Sequence, residues 1–146
     1  MRALGVAAVV GVDTDPVARA STLECAAANA VGAVRVLPSL GRVRGRHDVV
    51  TANLFAGLLV SLAAQLAART KPGGHLIVAG LLSSQESEVQ GALERAGFAL
   101  LRRECRATWT VLTLVRAPHP EAGSATTARA RSTAKSAARR GLRTRP

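Results

Sequence analysis

The sequence predicts an α/β fold: a mostly parallel sheet, its strands linked by helices, closing on an antiparallel hairpin. Three observations carry this. Residues 6–12, VAAVVGV, form an unbroken apolar run, as a strand buried on both faces of a parallel sheet does. Strand-like runs then alternate with longer segments of helical apolar spacing, the mark of βα units. The last two runs, residues 98–104 and 108–116, lie close enough in sequence to pair as a hairpin.

The elements follow in order. Residues 1–5 read as the last turn of a helix, with Gly5 as its terminator. The first strand stops at Asp13, and Asp15-Pro16 opens a helix. Asp15 is placed to accept from an orphan amide of the first turn, and Pro16 occupies the first helical position, where its missing N–H costs nothing. Val17, Ala20, Leu23 and Ala27 repeat at helical spacing over residues 16–29, and the segment closes near Gly32. A short second strand is expected over 33–37. A basic loop, 39–47, carries Arg42, Arg44 and Arg46 between the breakers Gly41 and Gly45. DVVTAN at 48–53 is a third strand, followed by a helix over 54–69. KPGG at 71–74 is a tight turn into a fourth strand, 75–79. Ser83 and Glu86 have the spacing of a capping box for a helix over 84–96, ended by Gly97.

Composition narrows the function. The chain of 146 residues is 48% hydrophobic and has room for one domain. Residues 1–116 carry 13 Lys/Arg against 8 Asp/Glu, whereas residues 117–146 carry 7 against Glu121 alone. Those last 30 residues have almost nothing large and apolar to bury, so a disordered basic tail is expected beyond a domain of residues 1–116. Such a tail is either a polyanion contact, RNA above all, driven by counterion release, or a solubilising extension. Cys25 and Cys105 do not make a disulfide framework; both fall in apolar segments and are expected as buried thiols in a reducing cytoplasm. His47, His75 and His119 lack ligand spacing, so no metal site is expected. Met1-Arg2 leads into a run too short, and then too acidic, for a signal peptide. Residues 49–68 are uncharged, but Thr51, Asn53, Ser61 and Gln65 and a strand-like start favour a strand and buried helix over a membrane span. Three aromatic residues, Phe55, Phe98 and Trp109, are too few and too scattered for a base-stacking platform.

Asp13 is the first candidate site residue. In open α/β sheets ligands bind beyond the carboxyl ends of the strands, where a carboxylate suits the two hydroxyls of a ribose. The alternative is that Asp13 only decorates the turn.

The order of pieces resembles a class I S-adenosylmethionine methyltransferase with a Rossmann-like fold. VVGVDTDP at 9–16, DVVTANLFAG at 48–57, RTKPGGHLIVAGLL at 69–82, ERAGF at 94–98 and TWTVLTLVR at 108–116 are together similar to the ribosomal protein methyltransferase (PrmA) family, which modifies a protein of the large-subunit stalk base. KPGG is common to many methyltransferases; the Ala-Asn-Leu-Phe-Ala segment and the Trp109 strand narrow the likeness. The resemblance implies S-adenosyl-L-methionine as cofactor, a ribosomal protein as substrate and N-methylation of lysine or α-amino nitrogens. It implies that Asp13 binds the ribose hydroxyls. It also implies that Asn53 faces both the methionine end of the cofactor and the accepting nitrogen, as the catalytic residue. Methyl transfer from a sulfonium is an in-line displacement in which positioning supplies most of the rate, and a side-chain carbonyl can aim an amine lone pair. Asn53 is equally suited to cap the following helix.

The sequence departs from that family at its start. The family opens its cofactor domain with a strand and a loop of the Asp-x-Gly-x-Gly kind, whereas no glycine-rich loop precedes Asp13 here. The expected fold is therefore a partial one, N-terminally truncated, lacking the first strand and the loop whose amides cradle the cofactor. Two expectations follow. Cofactor binding by this chain is weak or absent. The strands at 6–12 and 48–53, deprived of the one between them, close up and pair directly, or else the domain folds marginally. The alternative function is a non-catalytic remnant that binds ribosome or RNA through its basic tail and the arginine loop. A methyltransferase of the same class with another acceptor also remains open, because a fold does not fix a substrate.

Overall fold

The structure, a computed structural model, describes residues 6–118. The Gly5 terminator and all of the basic tail except Ala117 and Pro118 lie outside the described residues. The elements alternate as expected: β1 (Val9–Val12), α1 (Pro16–Ala28), β2 (Val34–Leu37), a 3-10 turn (Leu40–Arg42), β3 (His47–Asn53), α2 (Ala56–Arg69), β4 (Thr70–Leu82), a 3-10 turn (Ser83–Gln85), α3 (Glu86–Arg95), β5 (Phe98–Arg106) and β6 (Trp109–Arg116).

The strands form two sheets. β1 pairs in parallel with β2, and a second sheet has the order β3-β4-β6-β5. There β3 and β4 are parallel, while β6 runs antiparallel to both β4 and β5. The expected pairing of the first and third strands does not occur. Unpaired amides and carbonyls cost stability only where they are buried. That cost is not incurred, because no residue of β1 is buried and Val49, Thr51 and Asn53 of β3 are exposed. Backbone groups that water can reach carry no such penalty.

The core belongs to the four-stranded sheet. Leu76 and Val78 of β4, Leu112 and Leu114 of β6 and Phe98 of β5 face one side. Against them pack Leu59, Ala63 and Leu66 of α2, at i, i+4 and i+7, and Val89, Ala92 and Leu93 of α3. Leu59, Leu76, Leu93, Leu112 and Leu114 are fully buried, each stabilising the fold by about 1.5–3 kcal/mol. By contrast α1 has no buried residue, and its Val17 is 69% exposed.

Local signals held where they were local. Asp15 accepts from Val17 N–H at 2.8 Å with Pro16 at the first helical position. Gly97, at φ +93°, ends α3. Other expectations are corrected. KPGG does not precede β4 but lies within it, as an excursion between the pairs His47–Thr70 and Val49–His75. Ser83 and Glu86 form no capping box: Gln85 takes the Leu82 N–H at 3.1 Å, while Ser83 and Glu86 turn to the hairpin. Cys25 and Cys105 are exposed rather than buried. The first has no layer above it, and the second stands near the tip of the β5–β6 hairpin.

Candidate functional site

Asp13 follows β1 directly, so its side chain lies beyond the carboxyl end of a parallel strand. Three contacts fix the turn that carries it. Asp15 N–H donates to Asp13 Oδ1 at 2.9 Å, and Asp13 N–H donates to Leu37 O of β2 at 3.1 Å. The Arg19 guanidinium reaches back from the first turn of α1 and donates to the carbonyls of Asp13 and Thr14 at 3.0 and 2.9 Å. Arg19 was not singled out from the sequence, since an arginine in a first helical turn has no distinctive spacing. Asp13 is exposed, with Oδ1 engaged by an amide and Oδ2 in no hydrogen bond among the described residues.

Asn53 ends β3, opposite Ala79 of β4, and Leu54 N–H closes the ladder on Ala79 O at 3.3 Å. Its side chain is exposed. It does not cap α2, whose N-cap is Phe55 with no side-chain cap, so the capping role is set aside. The carboxamide instead lies against Gly80. Phe55, two residues on, is 84% exposed beside it. Both candidate residues thus stand at carboxyl ends of parallel strands, but on different sheets, and no hydrogen bond joins them. A cavity of about 170 Å³ lies at the other end of β1, lined by Val6, Val9, Val31 and Ala33. Another of about 310 Å³ lies between Leu82–Ser84 and Ala107–Thr108. Neither is lined by Asp13 or Asn53.

Electrostatics mark two further places. Lys71 Nζ donates to Asp48 Oδ1 at 2.8 Å at the amino end of β3, and this holds the Asp48 carboxyl below its ordinary value. Glu86, at the start of α3, accepts from Arg103 Nε of β5 and, at 3.3 Å, from Thr110 Oγ1 of β6. The Arg103 hydrogen bond holds its carboxyl low against the opposing effect of burial. Ser83 Oγ extends this network to Thr110 at 3.0 Å and Cys105 Sγ at 3.2 Å. These groups tie α3 to the hairpin. Among the described residues no three His, Cys, Asp or Glu side chains group to hold a metal ion. No helix among them is long and apolar enough to cross a membrane.

Comparison with known proteins bears on the fold and the family. Residues 1–117 match the family model described as ribosomal protein L11 methyltransferase (PrmA). The chain is 39% identical over 109 residues to the ribosomal protein L11 methyltransferase of Geobacter sulfurreducens, covering 75% of this chain and 36% of the relative. It is 37% identical over 114 residues to that of Methylococcus capsulatus, covering 77% and 39%. The chain therefore spans little more than a third of the length of these curated relatives. Among solved structures, a ribosomal protein L11 methylase from Lactobacillus delbrueckii subsp. bulgaricus superposes with a TM-score of 0.75 at 24% identity, over 80% of this chain and 62% of that one. A methyltransferase from Pyrococcus furiosus does so with 0.64 at 18% identity, over 75% and 63%. The fold is a partial class I methyltransferase fold, and the chain belongs to the ribosomal protein L11 methyltransferase (PrmA) family.

Proposed function

We propose that this chain carries part of an S-adenosyl-L-methionine-dependent N-methyltransferase site whose acceptor is a lysine or α-amino nitrogen of a ribosomal protein. One observation supports this above the others: an exposed carboxylate, Asp13, and an exposed carboxamide, Asn53, each stand at the carboxyl end of a parallel strand, where α/β sheets bind ligands. The cofactor supplies an activated methyl group on a sulfonium. Asp13 fits its ribose, with Oδ2 available to a hydroxyl and Oδ1 already polarised by Asp15 N–H. The substrate ammonium gives up a proton to water, and Asn53 would accept from the resulting neutral amine through its side-chain carbonyl and direct the freed lone pair. No acid or base needs a tuned pKa for this step, because positioning carries it.

The residues in hand fit only part of the cofactor. The unit that carries Asp13, a four-residue strand and a helix with no buried residue, gives a ligand little preformed support, so uptake is weak. Titration calorimetry tests both statements: weak uptake that Asp13→Asn abolishes supports the reading, a micromolar Kd refutes the impairment, and uptake indifferent to Asp13 and Asn53 refutes the site.

A second reading draws on the arginine loop. Arg42, Arg44 and Arg46 are all exposed around the buried anchor Val43. With the charge of residues 117–146 they suit an RNA contact. Deleting residues 117–146 abolishes salt-sensitive RNA binding if this is the function.

A further inference from the structure

We infer that Gly80 is a positioning residue for Asn53: the bulge it makes in β4 shapes the seat that fixes the Asn53 carboxamide. The inference rests on the role proposed above for Asn53 and adds what holds that side chain in place.

The pairing of β4 with β6 slips between Val78–Leu112 and Leu81–Thr110, so Ala79 and Gly80 together face Val111 alone. This is a bulge, a device that bends a strand and re-aims what lies beside it. It falls where the β3–β4 ladder ends, at Asn53–Ala79 and the Leu54–Ala79 hydrogen bond. Gly80 takes φ +80°, which side chains rarely adopt. Conformation alone does not explain the glycine, however. Gly45 and Gly73 have φ of +76° and +74°, and a Cβ on either would meet nothing within 4 Å. A Cβ on Gly80 would lie 2.5 Å from Asn53 Oδ1 and 3.1 Å from Leu54 O. The first distance is far inside van der Waals contact, and the atom in the way is the carboxamide itself. Asn53 therefore occupies the volume that any other residue at 80 would fill. A methyl group there moves the carboxamide out of its seat, and sub-ångström placement is what an in-line transfer depends on.

A double-mutant cycle on the ligand-free protein tests this, with urea unfolding of wild type, Gly80→Ala, Asn53→Ala and the double variant. The φ strain and the Leu54 contact are common to both backgrounds and cancel. The Asn53 contact is not, so Gly80→Ala is expected to shift the unfolding equilibrium less in the Asn53→Ala background. The side-chain NH₂ resonances of Asn53, identified by their loss in Asn53→Ala, are expected to shift in Gly80→Ala. If Gly80→Ala does not fold but the double variant does, the coupling is shown in its extreme form. Equal penalties in the two backgrounds, failure of both to fold, or an unmoved NH₂ pair overturns the inference. Every reading is made without cofactor, so failure of methyl transfer or cofactor uptake bears on the proposed function and leaves this result standing.

Discussion

Replacing Glu86 by Gln tests whether the junction between α3 and the hairpin is electrostatic. The side chain is 13% exposed, and its two oxygens accept from Arg103 and from the fully buried Thr110. Gln keeps the shape and one acceptor but loses the charge and the second acceptor, leaving Thr110 to Ser83 alone. A hydrogen bond to a charged group contributes about 1.5–3 kcal/mol when shielded. Arg103, however, is 49% exposed, and a pair open to solvent contributes far less. With one partner shielded and the other half exposed, the value falls below the shielded range, and the variant loses about 1 kcal/mol at pH 7. The pH dependence fixes the cause. Glu86 is held below its ordinary 4.5 in the folded chain, so its contribution is present above that value and fades as pH falls through the folded pKa. Urea unfolding of both proteins at pH 7 and near pH 3 should show the gap narrowing in acid. A gap unchanged at low pH would mean that lost packing, not lost charge, is responsible.

Three other outcomes follow from the packing. Leu112→Ala, in the centre of β6, should lower stability by about 3–5 kcal/mol, whereas Val17→Ala on exposed α1 should change it by less than about 0.5 kcal/mol; similar values in denaturant melts would contradict the one-sided core. Asp15→Ala removes the acceptor of Val17 N–H and should weaken α1 by about 1 kcal/mol, seen as faster amide exchange at Val17 and Ala18; unchanged exchange would mean the cap is idle. Amides of Gly11 and Ala52, which point to their partner strands, should exchange more slowly than those of Val10, Val12 and Thr51, which point away; uniform protection would mean that the inner edges are paired after all.

The sequence made legible what neighbours in the chain decide. The Asp15-Pro16 start of α1, the Gly97 stop and the β5–β6 hairpin all rest on contacts within a few residues, and all appear as read. What failed was decided across the fold. Ser83 has the spacing of a cap, but the hairpin brings Thr110 and Cys105 within 3.2 Å and takes its hydroxyl. Cys25 sits in a helix, yet burial needs a covering layer, and among the described residues α1 has none. Gly80 falls just past a strand expected to end at residue 79, whereas β4 runs on to Leu82 and bulges where β6 pairs beside it. Asp13 was readable as a candidate because it ends an apolar run at an acid, and Asn53 through the resemblance that DVVTANLFAG carries. The contacts holding them, from Arg19 and Gly80, were not.

The two halves of the proposed site are unequally prepared, and this shapes what the chain does with a ligand. Asn53 rides on a sheet with a fully buried leucine core, and its carboxamide is seated on a neighbouring strand. Asp13 rides on a four-residue strand paired on one side only, followed by a helix without a buried residue. Units with so little burial open locally at small free-energy cost, and a ligand that must order them binds more weakly for it. Substitutions that strengthen the β1–β2 pair should therefore tighten cofactor uptake without touching the ligand. The same gain in the core around Leu112 should leave uptake where it was, because Asn53 is already held.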